Sequence, residues 1–135
     1  MLTKMDHIGV AVADMDAGLG KWRDLLGLDL RVIETLPVMG VRIAFLEQRE
    51  GPTIELVSPL GEDSPVRRFI DKRGEGIHHL CFQVDDIGKS ITELRSRGVE
   101  FVDEEPRAGG EGALTAFILP KNFNGVLIEL KQKYS

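Results

Sequence analysis

The sequence of 135 residues predicts an α+β fold made of two tandem βαβββ modules that together form a curved mixed β-sheet cleft. The first observation behind this prediction is an internal repeat, because residues 7–15 resemble residues 79–87 and residues 54–56 resemble residues 128–130 in the same order. The second is a strand of alternating character at the start of each repeat. The third is an Asp that can cap a helix directly after each of these strands.

Each repeat reads as the same succession of elements. The opening strands carry apolar residues at every second position, at Ile8, Val10 and Val12 and again at Leu80, Phe82 and Val84. Helices follow from Asp14 and Asp86, and Gly27 and Gly98 stand where a helix end favours positive φ. The predicted buried helix positions are Met15, Leu19, Trp22 and Leu26 in the first module, and Ile87, Ile91 and Leu94 in the second.

Three further strands complete each module. They are predicted at 30–33, 42–46 and 53–57 in the first and at 100–102, 113–119 and 126–130 in the second. Ser64 and Pro65 form a good N-cap and N1 pair for a short linking helix through about Lys72. We therefore expect a single domain over residues 1–135, with modules at about 4–60 and 76–132 joined by a short helical linker.

Composition narrows the class of protein. Hydrophobic residues make up 42% and charged residues 29% of the chain, which is typical of a soluble globular protein. The net charge of −5, with basic residues scattered among acidic ones, argues against binding nucleic acid or an anionic membrane. No apolar run approaches the roughly 18 residues that a membrane span needs. A single cysteine, Cys81, and the lack of a signal-like start indicate the cytoplasm.

The repeat places four metal-binding residue types at equivalent positions. By strand alternation His7 and His79 point away from the helix-covering face, and so do Glu55 and Glu129. Any one of these residues alone is more often a capping or solvent-facing side chain. All four at matching positions in two modules instead predict an N₂O₂ site for a divalent metal ion. His78 should face the opposite side of its strand.

Several stretches also resemble the vicinal-oxygen-chelate (glyoxalase/bleomycin-resistance/dioxygenase) superfamily, and within it the methylmalonyl-CoA epimerases. The segments that carry this resemblance are 6–12, 55–65, 74–80 (GEGIHHL), 84–87 and 120–130, which ends in GVLIEL. The resemblance implies the same four ligands and a glyoxalase-like fold. It also implies Co²⁺ as the expected ion, with Zn²⁺, Ni²⁺ or Mn²⁺ as alternatives, and a homodimer.

The activity that the resemblance implies is interconversion of (2R)- and (2S)-methylmalonyl-CoA by proton transfer at C2 through a metal-stabilised enolate. Glu129 is the expected acid/base on one face of the substrate and Glu55 on the other, with Glu47 and Glu111 as alternatives. Lys121 and Arg107 are candidates for binding the CoA phosphates, although each is also a plausible surface charge. Cys81 is expected to be a small core residue rather than a nucleophile.

The chain departs from the epimerase pattern at several positions. Glu55 stands where some epimerases have Gln, Ile43 stands where some have a non-ligand Glu, and Leu119 replaces the usual His before Pro-Lys. Two other readings therefore stay open. One is a glyoxalase-I-like lactoylglutathione lyase, which has the same two-His, two-Glu ligand set, and the other is a metal-free ligand-binding or resistance protein of the same fold.

Overall fold

The computed structural model describes residues 1–133, whose contacts divide the chain into two compact units. The N-terminal unit comprises Ile8–His78, and the C-terminal unit comprises Met1–His7 together with the chain from His79 onward. The first strand, β1 (Leu2–Ala11), contributes residues to both. The α+β class predicted from the sequence is confirmed, with eight strands and three α-helices among the described residues.

The N-terminal unit is a sheet with an apolar cluster on each face. Its elements are α1 (Met15–Leu19), β2 (Asp29–Leu36), β3 (Val41–Glu47), β4 (Thr53–Pro59) and α2 (Pro65–Arg73). Strands β2, β3 and β4 are antiparallel neighbours, and β4 lies next to β1. One cluster joins Val10 and Leu56 to Met15 and Leu19 of α1, and the other joins Phe45 and other residues of the opposite face to α2.

The C-terminal unit packs one helix on one face of its strands. Its elements are β5 (Gly76–Val84, of which residues 79–84 belong to this unit), α3 (Ile87–Ser96), β6 (Arg107–Ala108), β7 (Leu114–Ile118) and β8 (Ile128–Gln132). The strand order is β1-β5-β8-β7-β6, with β5 and β8 parallel. Ile87 and Ile91 of α3 pack on Leu130, Ala116 and Val84, so the opposite face of β5 and β8 is left for other side chains.

The predicted helix starts are confirmed by their hydrogen bonds. Asp14 accepts from the Ala17 amide at 3.1 Å, Asp86 from the Lys89 amide at 3.0 Å, and Ser64 from the Val66 amide at 3.2 Å. Each bond satisfies an amide that the first helical turn leaves without a partner. Gly27 and Gly98 take positive φ, as predicted for residues that end these helices. No helix among residues 1–133 is both long and apolar enough to cross a bilayer.

The predicted burial of Leu26 is wrong, because the first helix changes its pitch. Residues Gly20–Leu25 form a π-helix, in which the Leu26 amide donates to the Lys21 carbonyl five residues back. A π-turn contains more residues than an α-turn, so a position at α-helical spacing rotates away from the buried stripe. Leu26 is consequently 67% exposed, whereas Met15 and Leu19 are buried as predicted.

The strand predicted at 100–102 is shorter than expected, although its backbone pairs with the end of β7: the Val102 amide donates to the Phe117 carbonyl at 2.8 Å and the Leu119 amide to the Glu100 carbonyl at 3.0 Å. Phe101 forms only an isolated bridge to Ile118, and the edge strand of this unit is instead Arg107–Ala108, which pairs with Thr115 and Leu114. The acidic run that follows Val102 ends in Pro106, and proline has no amide to donate to a strand ladder. Pairing with β7 is therefore interrupted at this point and resumes after the proline.

Candidate metal centre

Strand alternation gathers polar side chains on the face of the C-terminal unit opposite α3. Leu130 points into the helix-covered cluster, so its neighbours Glu129 and Lys131 point the other way. The parallel pairing of β5 with β8 sets Cys81 beside Glu129 and Gln83 beside Lys131. His79, two residues before Cys81, shares this face, and it is buried together with Glu129.

Three of the four predicted ligands converge on this face. His7 Nε2 lies 2.9 Å from His79 Nε2 and 3.0 Å from Glu129 Oε1, and His79 Nε2 lies 3.2 Å from the same oxygen. The two imidazole rings are nearly perpendicular, with centroids 5.0 Å apart, and His79 also meets the ring of Phe117 edge-on. The His7–His79–Glu129 triad is thus a compact, buried set of two nitrogens and one carboxylate oxygen.

The chemistry of these donors fits a divalent cation. The three donor atoms lie 2.9–3.2 Å from one another, which is close enough for a single ion to be held by all three. When two neutral imidazoles face each other through Nε2, the two nitrogens share one proton. This proton cannot form good hydrogen bonds to both rings and to the carboxylate oxygen at the same time. A metal ion accepts all three lone pairs at once, and the residues present therefore fit a divalent metal.

The electrostatics of the triad favour an ionised carboxylate. Burial disfavours the charged form of Glu129, but its contacts with the ring nitrogens of His7 and His79 outweigh burial and hold the pKa of Glu129 well below the usual range of a glutamate. An anionic oxygen is the form in which a carboxylate binds a metal ion. The same low pKa makes Glu129 a weak base in this arrangement.

Asp6, together with Gln83 and Lys131, lies on the Nδ1 side of His7, and the sequence pattern did not predict this contact. Asp6 Oδ2 lies 2.7 Å from His7 Nδ1 and 3.0 Å from Lys131 Nζ, and Gln83 Nε2 donates to Asp6 Oδ1 at 2.5 Å. Strand alternation could have placed Gln83 and Lys131 on the ligand face, because each lies an even number of residues from a predicted ligand. Their contact with Asp6 depends on how the strands pair, which the sequence pattern does not specify.

The other candidate acids are not members of the His7–His79–Glu129 triad. Glu55 is a buried residue of β4 in the N-terminal unit, where it pairs in register with Phe45. Glu47 is exposed and forms an ion pair with Arg31 at 2.5 Å. Glu111 is exposed in a 3₁₀ turn with a φ of 57°. His78 packs edge-on against Phe69 in the N-terminal unit and is not a member of the triad.

The two candidate CoA-binding cations are exposed and paired with acidic side chains. Lys121 Nζ lies 3.0 Å from Glu100, and Arg107 lies 3.1 Å from Asp103. The pair of Lys121 with Glu100 is exposed on both sides and contributes little free energy, whereas the Asp103 side chain is only 16% exposed. Gly109 is required by packing, since a Cβ there would lie 2.7 Å from Thr115 Cγ2.

Cys81 is expected to be chemically inert in the folded protein. The residue is fully buried, and burial raises the pKa of its thiol to about 12, with a hydrogen bond to His7 opposing the shift. The thiolate, which is the reactive form, is therefore scarce at ordinary pH. Native protein should resist iodoacetamide at mildly alkaline pH and should be labelled at one site once unfolded, as intact mass would show. Rapid labelling of the native protein would contradict this expectation.

Comparison with known proteins agrees with this geometry. The family model described as "Glyoxalase/Bleomycin resistance protein/Dioxygenase superfamily" matches residues 6–117, which is most of the chain. The chain belongs to this superfamily. The resemblance noted in the sequence, and the glyoxalase-like fold predicted with it, are confirmed.

Several similar members of the superfamily are named as epimerases. The ethylmalonyl-CoA/methylmalonyl-CoA epimerase of Cereibacter sphaeroides is 36% identical to this chain. The aligned region covers 98% of this chain and 99% of the Cereibacter protein. The crystal structure of methylmalonyl-CoA epimerase from Mycobacterium tuberculosis is 39% identical with a TM-score of 0.94, covering 99% of this chain and 90% of its own. A variant of the Streptomyces coelicolor enzyme, in complex with 2-nitronate-propionyl-CoA, is 34% identical with a TM-score of 0.95 and covers 100% of both chains.

Proposed function

We propose that this chain is a methylmalonyl-CoA epimerase, an isomerase that interconverts the (2R) and (2S) forms of its substrate. The observation that carries the proposal is the buried convergence of His7, His79 and Glu129. It occurs in a chain that has several relatives named as methylmalonyl-CoA epimerases, at 34–39% identity over nearly its full length. A site for an acyl-CoA is supported by the relative that holds an acyl-CoA analogue.

The proposed metal ligands are His7, Glu55, His79 and Glu129. Three of them form the triad, and Glu55 is included because the internal repeat makes it the counterpart of Glu129 and because its carboxylate is buried. We propose Co²⁺ as the ion, because nitrogen and oxygen donors suit this metal. Zn²⁺, Ni²⁺ and Mn²⁺ are the alternatives, because the same donors suit them too. When bound, the ion supplies Lewis-acid stabilisation of the negative charge that develops on the substrate.

Epimerisation requires proton transfer on both faces of C2 and no redox step. The C2–H bond breaks on one face, its electron pair stays with the acyl group as an enolate, and a proton arrives at C2 on the other face. We propose Glu129 and Glu55 as the two acid/base groups. Glu47 and Glu111 are less suited, because both are exposed and Glu47 is held in an ion pair with Arg31.

Binding of the CoA moiety is proposed to involve Lys121 and Arg107. The side chains of Lys121 and Arg107 are 65% and 49% exposed, and they are paired with Glu100 and Asp103 as described above. A phosphate carries more charge than the carboxylate that it would replace, so exchange of partners is favourable. A homodimer in the cytoplasm completes the proposal, in keeping with the single reduced cysteine.

The experiment that tests this function is an exchange assay in D₂O. Protein loaded with Co²⁺ is incubated with (2R)-methylmalonyl-CoA, and deuterium at C2 and formation of the (2S) epimer are followed together. We expect both to occur, because inversion through an enolate must exchange the C2 proton with solvent. Ethylmalonyl-CoA run in parallel tests how long an acyl side chain the site accepts.

A second substrate tests the lyase alternative. The hemithioacetal of methylglyoxal and glutathione would be turned over by a glyoxalase-I-like enzyme with the same ligand set. Turnover of the hemithioacetal without exchange at C2 of methylmalonyl-CoA would overturn the epimerase proposal. Absence of both activities in protein with bound metal would overturn it as well, leaving the fold and the metal centre.

A further inference from the structure

The two ring nitrogens of His7 lie in different surroundings. Its Nε2 faces His79 and Glu129 at 2.9 and 3.0 Å, whereas its Nδ1 lies 2.7 Å from Asp6 Oδ2. A neutral imidazole carries one proton, and that proton determines which nitrogen can donate a lone pair to a metal ion. The hydrogen bond at Nδ1 therefore controls whether Nε2 can act as a ligand.

Asp6 is fixed through both of its carboxylate oxygens. Gln83 Nε2 donates to Oδ1 at 2.5 Å, and Lys131 Nζ lies 3.0 Å from Oδ2, the same oxygen that faces His7. Both members of the Asp6–Lys131 pair are buried, with side chains 8% and 4% exposed. Lys133 reaches Oδ1 only at 3.6 Å and is 54% exposed, so it contributes much less.

Its neighbours make Asp6 a hydrogen-bond acceptor. Gln83 Nε2 and Lys131 Nζ, which can only donate, lie against Oδ1 and Oδ2, and the lysine lies against the oxygen that faces His7. A carboxylate has no proton to give, so the proton in the contact with His7 resides on Nδ1. His7 Nε2 is then left with its lone pair directed toward His79 and Glu129.

The pairing of β5 with β8 places Gln83 and Lys131 next to each other, where both contact Asp6. On β8, Lys131 lies two residues after Glu129 and therefore on the same face of the strand. On β5, Gln83 follows Cys81 in the same way, and pairing of the two strands sets Gln83 beside Lys131. The anchor for Asp6 is consequently built from the two strands that carry His79 and Glu129.

We propose that Lys131 is a positioning residue of the metal centre: it pins Asp6, and Asp6 in turn holds His7 in the Nδ1–H tautomer that presents Nε2 as a ligand. Lys131 touches neither the substrate nor the metal in this proposal and acts through Asp6 alone. A purely structural Lys131 would neutralise a buried carboxylate for stability but would leave the tautomer of His7 and the affinity for metal unchanged. The proposal rests on the metal-binding part of the proposed function and not on its substrate.

The first test needs no variant. The chain contains only three histidines, so long-range ¹H–¹⁵N spectra of ¹⁵N-histidine-labelled, metal-free protein can be assigned with His78→Gln and His79→Gln. We expect His7 to show a protonated Nδ1 and an unprotonated Nε2 at neutral pH, and Zn²⁺ to shift the Nε2 resonance. A protonated Nε2 on His7 in metal-free protein would overturn the proposal, whatever any variant does.

The second test measures the affinity for Co²⁺ by competition with a chromophoric chelator. Lys131→Met is expected to weaken binding about 10-fold or more and to give a mixture of His7 tautomers, because loss of a partner behind a ligating histidine typically costs 10–100-fold. The matched control is Lys133→Met, which removes the exposed lysine near the same carboxylate and should change the affinity less than about 2-fold.

A double-variant cycle separates this role from plain stability. If Lys131 acts through Asp6, the variant that combines Asp6→Ala with Lys131→Met should bind Co²⁺ no more weakly than Asp6→Ala alone. The double variant also removes both buried charges together, so it remains measurable if Lys131→Met does not fold. Additive losses of affinity, or wild-type affinity in folded Lys131→Met, would overturn the proposal. Neither result depends on epimerase activity, whose failure would leave the tautomer and the cycle unchanged.

Discussion

Glu129→Gln is expected to abolish epimerisation by the Co²⁺-loaded protein, lowering kcat/KM by about 10³-fold. The substitution keeps the size of a buried side chain but removes the negative charge that faces the ring nitrogens of His7 and His79. It also removes a proposed acid/base. Inversion at C2 is measured in D₂O at saturating Co²⁺, with the metal content of each sample determined, so that loss of metal is not mistaken for loss of proton transfer.

The two proposed acid/base groups act on opposite faces of C2, so each single variant should lose proton transfer on one face only. A variant that lacks one group can still remove and return a proton on the other face, so Glu129→Gln should exchange the C2 proton of only one epimer without inverting it. Glu55→Gln should show the same behaviour with the opposite epimer. The control is Glu93→Gln, an exposed residue of α3, which should retain full activity. Wild-type rates of inversion in Glu129→Gln would exclude this carboxylate from proton transfer.

The second large effect concerns His79, whose loss should eliminate tight metal binding. His79→Gln removes one of the three donors of the triad, and its activity should fall more than about 100-fold and not return when Co²⁺ is added after chelation. The wild-type protein treated in the same way should recover. Co²⁺ at about 100 times its Kd should stabilise the wild-type protein by about 2.7 kcal/mol, visible as a higher Tm, and this rise should be absent in His79→Gln.

The neighbouring histidine provides the matched control. His78 points to the other side of the strand and packs against Phe69, so His78→Gln should retain metal binding and the rise in Tm. Equal responses of His78→Gln and His79→Gln would show that the triad is not the metal site. His78 and His79 are neighbours on one strand, so their side chains point to opposite faces. One is therefore a proposed ligand and the other a packing residue.

Features that depend on residues close together in the chain could be predicted from the sequence alone. The N-caps Asp14, Ser64 and Asp86 could be predicted because a cap bonds an amide only two or three residues away. The face of Glu129 could be predicted because side chains alternate along a strand whatever its partner is. The internal repeat then suggested that two such strands, with their histidines, serve one site.

Which residues support that site depends on the tertiary structure. Asp6 and Lys131 are 125 positions apart, and their contact depends on the order of β1, β5 and β8 in the sheet. The exposure of Leu26 likewise follows from a π-helical turn, and Pro106 lies between the bridge at Phe101 and the edge strand at Arg107. Periodic patterns assume regular helices and strands, so the positions at which the chain departs from them emerge only from the folded molecule.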